Sequence, residues 1–130
     1  MNDCLFCKIV KGEIPSYTIY EDDLIKVFLD INPTTNGHAL IIPKNHYTNF
    51  LDLNNELVMH IENVKKDLYN SFKEKLNCKG ITFIQNNELG QEIKHFHIHA
   101  IPRYSDDNLL IRTSKKTLKN AEETFKILKQ

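Results

Sequence analysis

Neither sign of charge predominates in this 130-residue chain: Lys+Arg and Asp+Glu both number 17, and the formal net charge is zero. That balance provides no general electrostatic surface for nucleic acid or for an anionic membrane, and neither is expected as a partner. No apolar run approaches the roughly 20 residues that a spanning helix needs. The opening "MNDCLFCKIV" lacks the basic stretch and the long apolar stretch of a secretory leader, so none is expected. Low-complexity tracts, internal repeats and linker-like stretches are absent too. Cysteine is scarce. The three present are an odd number with two in a C-x-x-C, which argues against a disulfide framework and for a reducing compartment, the cytoplasm.

What is there fits one globular domain. Hydrophobic residues make up 41% and charged residues 26% of a 15.2 kDa chain, enough for a real core, and residues 1–130 are expected to form a single domain. "CLFCKIVKGEIP" reads as a short helical turn closed by Gly12 and Pro15. "YTIYED" and "LIKVFLD" read as strands around the acidic turn Glu21-Asp22-Asp23, "INPTTNG" as a loop and "HALIIP" as a buried strand. From about Asn54 to Leu76, the residues Leu57, Ile61, Val64, Leu68, Phe72 and Leu76 recur at helical spacing and predict a long amphipathic helix. "GITFIQN" is a β-branched and aromatic strand, "ELGQ" a turn and "KHFHIHAIP" a further strand; Leu118, Ala121, Phe125 and Leu128 mark a second amphipathic helix. Hairpin-length connections imply antiparallel pairing. The expected class is α+β: an antiparallel sheet with one long helix packed on it and a C-terminal helix.

Three of the six histidines stand at alternate positions in "HFHIHA". On a strand His95, His97 and His99 would face one way, with Phe96, Ile98 and Ala100 turned into the core. Alternate residues are ~6.6 Å apart along a strand, so His95 and His99 would be ~13 Å apart. Zinc–nitrogen bonds are only ~2.0–2.1 Å, so one ion could take two neighbouring imidazoles but hardly all three. Different jobs are expected of them. His38 and His46 bracket the strand "HALIIPKNH", while His60, on the long helix, is expected at the surface or rim. The spacing of Cys4 and Cys7 lets two thiolates of one turn hold a tetrahedral ion, with His46 and one of the triplet as further ligands. Packing of two small half-buried thiols is the alternative, and a redox pair a third, although a redox C-x-x-C normally opens a helix after a strand. Cys78, at the end of the long helix, is expected simply to pack.

These residues resemble the histidine triad (HIT) family. "GQEIKHFHIHAIPRY" is similar to its C-terminal signature, and "FCKIVKGEIPSYTIYEDD", "VFLDINPTTNGHALIIPKNH" and "QNN" to its other blocks, in the same order, over about Cys4 to Tyr104. The resemblance implies a nucleotide hydrolase or transferase acting at the α-phosphate of a purine nucleoside monophosphate derivative, a phosphoramidate or a dinucleoside polyphosphate, through a nucleotidyl-histidine. It implies His97 as nucleophile, His99 as donor to the phosphate oxygens and His38 as a supporting histidine. Gln91 and Asn86 are implied on the phosphate and leaving-group side, and Asp30 at both ribose hydroxyls. Phe6, Ile9, Phe28 and Ile31 would hold the base, though each also has an ordinary core reading. The resemblance further implies structural zinc on Cys4, Cys7, His46 and His95, and a homodimer formed through the long helix and the sheet edge. A zinc-stabilised nucleotide-binding protein with little turnover is the alternative of another class. Two departures stand out. "NNELGQ" is about two residues shorter than usual, with Glu88 or Leu89 where glycine is common, and "IPRY" replaces the "GG"-type ending of the phosphoramidase branch.

Overall fold

The structure, a computed structural model, describes residues 3–116 and 120–130. Five strands form one sheet: β1 (Thr18–Glu21), β2 (Ile25–Leu29), β3 (Ala39–Pro43), β4 (Gly80–Ile84) and β5 (Ile98–Arg103). Their spatial order is β1-β2-β3-β5-β4, and every neighbouring pair is antiparallel. Among the described residues three helices accompany them, α1 (Leu5–Val10), α2 (Asn55–Leu76) and α3 (Ala121–Leu128), with a 3-10 turn over Phe50–Asp52 that no pattern in the sequence predicts. The chain adopts the α+β class read from its periodicities. Among the described residues no helix is long and apolar enough to cross a membrane.

Side-chain alternation splits the sheet into two differently used faces. Ile25 and Val27 of β2, Ile41 of β3, and Phe96, Ile98 and Ala100 pack with Leu57, Ile61, Val64, Leu68 and Phe72 of α2 into the main core. Cys78 is buried in the same cluster, as its packing role required. On the opposite face Phe28, Leu40 and Ile42 meet Phe6 and Ile9 of α1 in a second, smaller core. That second face also carries His97 and His99, so α1 ends up beside the histidines.

Local chemistry explains the element ends. The Asn54 side chain accepts the Leu57 N–H at 2.8 Å and caps α2, and Asn77 ends it in the left-handed region at φ 57°. Leu76 completes the helical spacing but stays 39% exposed, because it lies over the loop at Gly37 rather than in the core. Gly37 has φ +89°, a conformation that residues with a side chain rarely adopt, and a Cβ there would stand 2.5 Å from the tip of the Leu76 side chain.

Strand β5 begins four residues later than its apolar alternation suggests, at Ile98 rather than Lys94. The backbone ahead of it is engaged elsewhere: Phe96 N–H donates to Tyr47 O at 2.6 Å, and the His95 carbonyl accepts from the His97 ring at 2.8 Å. Groups so satisfied need no ladder partner. Helix α3 forms, but Phe125 and Leu128 on its apolar stripe are exposed, and Leu118 lies outside the described residues.

Candidate functional site

The bend ahead of β5 separates the three histidines into different environments. His95 is fully buried at the N-terminal turn, where Cys4 caps α1 by accepting the Cys7 N–H at 3.4 Å on its sulfur. His46 arrives from the loop after β3. The four ligand atoms of Cys4, Cys7, His46 and His95 all lie within 4.8 Å of one another. His95 Nδ1 is 3.4 Å from Cys4 Sγ and 3.5 Å from Cys7 Sγ, and His46 Nδ1 is 3.3 Å from Cys7 Sγ. A tetrahedron with ~2.0–2.3 Å bonds has edges of roughly 3.3–3.8 Å, the same range.

Two observations show that these residues fit a metal ion. A thiol has a single proton, yet Cys7 Sγ faces two ring nitrogens. The other nitrogen of His95, Nε2, donates to the Pro43 carbonyl at 2.9 Å, which leaves the Nδ1 lone pair turned to the sulfurs. Burial first, and His46 and His97 after it, pull His95 down to about 4, so its ring is neutral and ready to ligate. Burial and then the adjacent Cys4 sulfur push the Cys7 thiol up; two thiolates packed together are favourable around a cation.

A second group gathers where β2, β3 and β5 meet. The Thr34 N–H donates to His38 Nδ1 at 3.0 Å. His38 must then carry its proton on Nε2, which lies 2.9 Å from His99 Nδ1. His99 Nδ1 is thereby an acceptor, and its proton sits on Nε2. His97 is fixed in the opposite sense. Its Nδ1 donates to the His95 carbonyl at 2.8 Å, so Nε2 keeps the lone pair. Two neighbouring rings, with centroids 5.2 Å apart, thus present one lone pair and one N–H. Burial pulls His38, His97 and His99 below the ordinary histidine value, with Asp30 opposing the shift in all three.

His97 and His99 line a cavity of about 450 Å³. Phe6, Ile9, Phe28 and Ile31 line it as well, so the apolar residues of the small core double as a pocket wall. Phe6 meets Phe28 edge-on at 5.7 Å and the His97 ring edge-on at 5.0 Å, and Ile31 stands at the mouth, 78% exposed. Asp30 is present too. Its Oδ1 accepts the Asn32 N–H at 2.9 Å, and its Oδ2 is 3.7 Å from His38 Nε2. Asn86 lines the cavity from the loop before β5.

Gln91 and His38 are placed differently from the residues above, because neither lines the cavity. Gln91 is buried, donates through Nε2 to Thr48 O at 2.6 Å and accepts the Glu88 N–H at 3.1 Å, so its amide holds the loop together. In that short loop Glu88 has φ +68°, a left-handed conformation at a site where the resemblance leads one to look for glycine. His60 is half-buried and bonded to Asp22 at 2.7 Å, tying α2 to the β1–β2 turn. Sequence reasoning passed over Glu92, which lines the cavity beside the histidines; a charged residue wedged between Gln91 and the histidine run was the available signal.

The model of the HIT domain matches residues 11–106. An uncharacterized HIT-like protein of Methanocaldococcus jannaschii is 40% identical over 129 residues, covering 97% of this chain and 98% of its own length. The adenosine 5′-monophosphoramidase of Saccharomyces cerevisiae is 40% identical over 110 residues, 83% of this chain and 67% of that protein. Among solved structures, a Zn-bound histidine triad family protein from Mycobacterium smegmatis superposes with a TM-score of 0.79 at 33% identity, covering 98% of this chain and 91% of that one. The chain belongs to the HIT family.

Proposed function

We propose that this protein is a nucleotide hydrolase or transferase acting at the α-phosphate of a purine nucleoside monophosphate joined to an amine or to a further phosphate. The observation that carries this reading is the pairing of tautomers: a His97 Nε2 lone pair beside a His99 Nε2–H, in a cavity that also holds Asp30. In the first step His97 Nε2 attacks phosphorus, a P–N bond forms and the bond to the leaving group breaks. The leaving nitrogen or oxygen takes the bonding pair and a proton from solvent. Water then attacks the same phosphorus and gives up a proton to solvent, and the bond to His97 breaks with its electrons returning to Nε2. Charge on His97 during attack is spread through the Nδ1–H bond to the His95 carbonyl. His99 donates to a non-bridging oxygen, with His38 holding its tautomer. Asp30 accepts from the ribose hydroxyls, the apolar wall holds the purine, and Asn86 and the Gln91-braced loop shape the phosphate side.

Cys4, Cys7, His46 and His95 would hold zinc as a closed structural site, which supplies folding energy rather than Lewis acidity because no position is left open. The name of the yeast relative and the Zn-bound neighbour support these two assignments. The free cysteines Cys4, Cys7 and Cys78 suit a reducing, cytoplasmic setting, and the open outer edge of β4 together with α2 suits a homodimer. Mixing the protein with an adenosine phosphoramidate and looking by mass spectrometry for a nucleotidylated His97 tests the reaction. Nucleotide binding with no adduct and no turnover would instead make it a zinc-stabilised binding protein.

A further inference from the structure

The cavity is electrostatically one-sided. Asp30 and Glu92 are the charged residues that line it among the described ones, and neither lysine nor arginine does. Lys94, the nearest cation in sequence, is turned onto the loop, where its Nζ donates to Gln91 O at 2.7 Å and Glu88 O at 3.2 Å. The two carboxylates come from different segments of the chain. Asp30 follows β2 on the side of Phe28 and Ile31, anchored by Asn32. Glu92 comes from the loop before β5, with Asn86 and Gly90, and both carboxylates act through their charge on His97 and His99. Unlike Asp30, the exposed Glu92 carboxylate has no hydrogen-bond or ion-pair partner among the described residues, and it acts on His97 and His99 only through its field.

If the nucleoside lies against the α1–β2 wall, the leaving group emerges past the loop that carries Glu92. A polyphosphate leaving group brings several negative charges to a wall that offers a lone carboxylate and no compensating cation. An amine leaving group with a second, distal positive charge meets an unpaired partner there. We propose that Glu92 is a specificity-determining residue, pairing with positive charge on the leaving group and so favouring nucleoside phosphoramidates of cationic amines over dinucleoside polyphosphates. This inference rests on the hydrolase reading above. It adds a selector outside the reacting atoms, and it uses repulsion of the wrong substrate as well as attraction of the right one.

The test compares three substrates: adenosine 5′-monophosphate amidated with 1,3-diaminopropane, the same nucleotide amidated with neutral n-butylamine, and diadenosine tetraphosphate. The ratios of kcat/KM are read in the unsubstituted protein, in Glu92→Gln and in Glu92→Lys, at low and high salt. The unsubstituted protein should prefer the diamine over the neutral amine by roughly two- to fivefold at low salt, the range of an exposed ion pair, and the preference should shrink as salt is added. Glu92→Gln should bring that ratio to about one, and Glu92→Lys should raise the tetraphosphate relative to both amides by roughly fivefold. A purely structural role would lower all three substrates by a common factor and leave the ratios and their salt dependence alone, which overturns the inference while the hydrolase reading stands. Failure of the unsubstituted protein to turn over any of the three, with no adduct formed, would overturn that reading and the inference with it.

Discussion

Nδ1 of His97 donates to the main-chain carbonyl of His95 at 2.8 Å, so the residue proposed to attack phosphorus is oriented by the backbone of the residue placed to bind metal. The Cys4, Cys7, His46 and His95 cluster and the proposed nucleophile are thus two residues apart along the chain. Disturbing either one should leave a different signature.

Replacing His97 with alanine should remove turnover by well over the ~10²–10⁴ that a general acid or base contributes, since a bond-forming atom is lost. No nucleotidylated protein should be seen by mass spectrometry, while fluorescence titration should still show nucleotide binding. Recovery of activity in His97→Gly by added imidazole would strengthen the assignment. Near-normal rates in the alanine variant would sink it.

Chelation is the corresponding test at Cys4, Cys7, His46 and His95. Purified protein should contain about one zinc per chain, and a strong chelator should lower the melting temperature. Cys7→Ser should do the same, because a hydroxyl replaces a thiolate poorly on zinc. Activity should fall alongside stability, as the His95 carbonyl loses its position under His97. An unchanged melt in metal-free protein would return the cysteines to simple packing.

Asp30→Ala should weaken ribonucleotide binding much more than 2′-deoxyribonucleotide binding. One charge-assisted hydrogen bond is worth roughly 1.5–3 kcal/mol, and only the ribose form offers both hydroxyls. Equal losses for the two sugars, measured by calorimetry, would mean that the Asp30 bond to Asn32 is its whole purpose.

The pH profile follows from burial. His97 must be neutral to attack, and desolvation lowers its pKa below the ordinary ~6.5. The acid limb of kcat/KM should therefore fall at a pH below that value. Stability has a matching sign. The unfolded chain takes up protons on these histidines before the folded chain does, so folding should weaken as pH drops through about 6.5, and the weakening should level off once the folded pKa values are passed. An acid limb above 7 would contradict the burial of the nucleophile.

Glu88→Gly is expected to stabilise the protein. A side chain at φ +68° costs roughly 1–2 kcal/mol, and the greater freedom of unfolded glycine returns about half of that. A net gain of about 0.5–1 kcal/mol should appear as a higher melting temperature. A loss would show that the Glu88 side chain supports the loop.

Much of this was legible in the sequence because periodicity reports burial. Leu57 to Phe72 gave α2, and the alternation of Phe96, Ile98 and Ala100 gave the core side of the histidine segment. The late start of β5 was not legible. It depends on Tyr47 O and on the His97 ring, partners that only the folded chain brings together. The same limit applies to Gln91, whose amide turns to Thr48, and to Glu92, whose place at the cavity follows from the bend before β5. Leu76 shows the converse case: the spacing is right, but its side chain lies against the loop at Gly37 and stays partly exposed.

The strand order has a consequence for how the protein is made. β3 is among the most deeply buried segments of the fold, with Ala39, Ile41 and Ile42 at 0% exposure. One of its edges pairs at once with β2, but the other must wait for β5, where Ile41 meets Ile98 and Leu40 meets His99. At ribosomal rates of ~5–20 residues per second that partner is roughly 3–12 s behind. During this interval the nascent chain exposes an apolar edge open to strands of other molecules, and pairings so distant in sequence are intrinsically slow to form. The order that carries His99 to His38 therefore leaves the half-made chain more prone to aggregate than the finished protein.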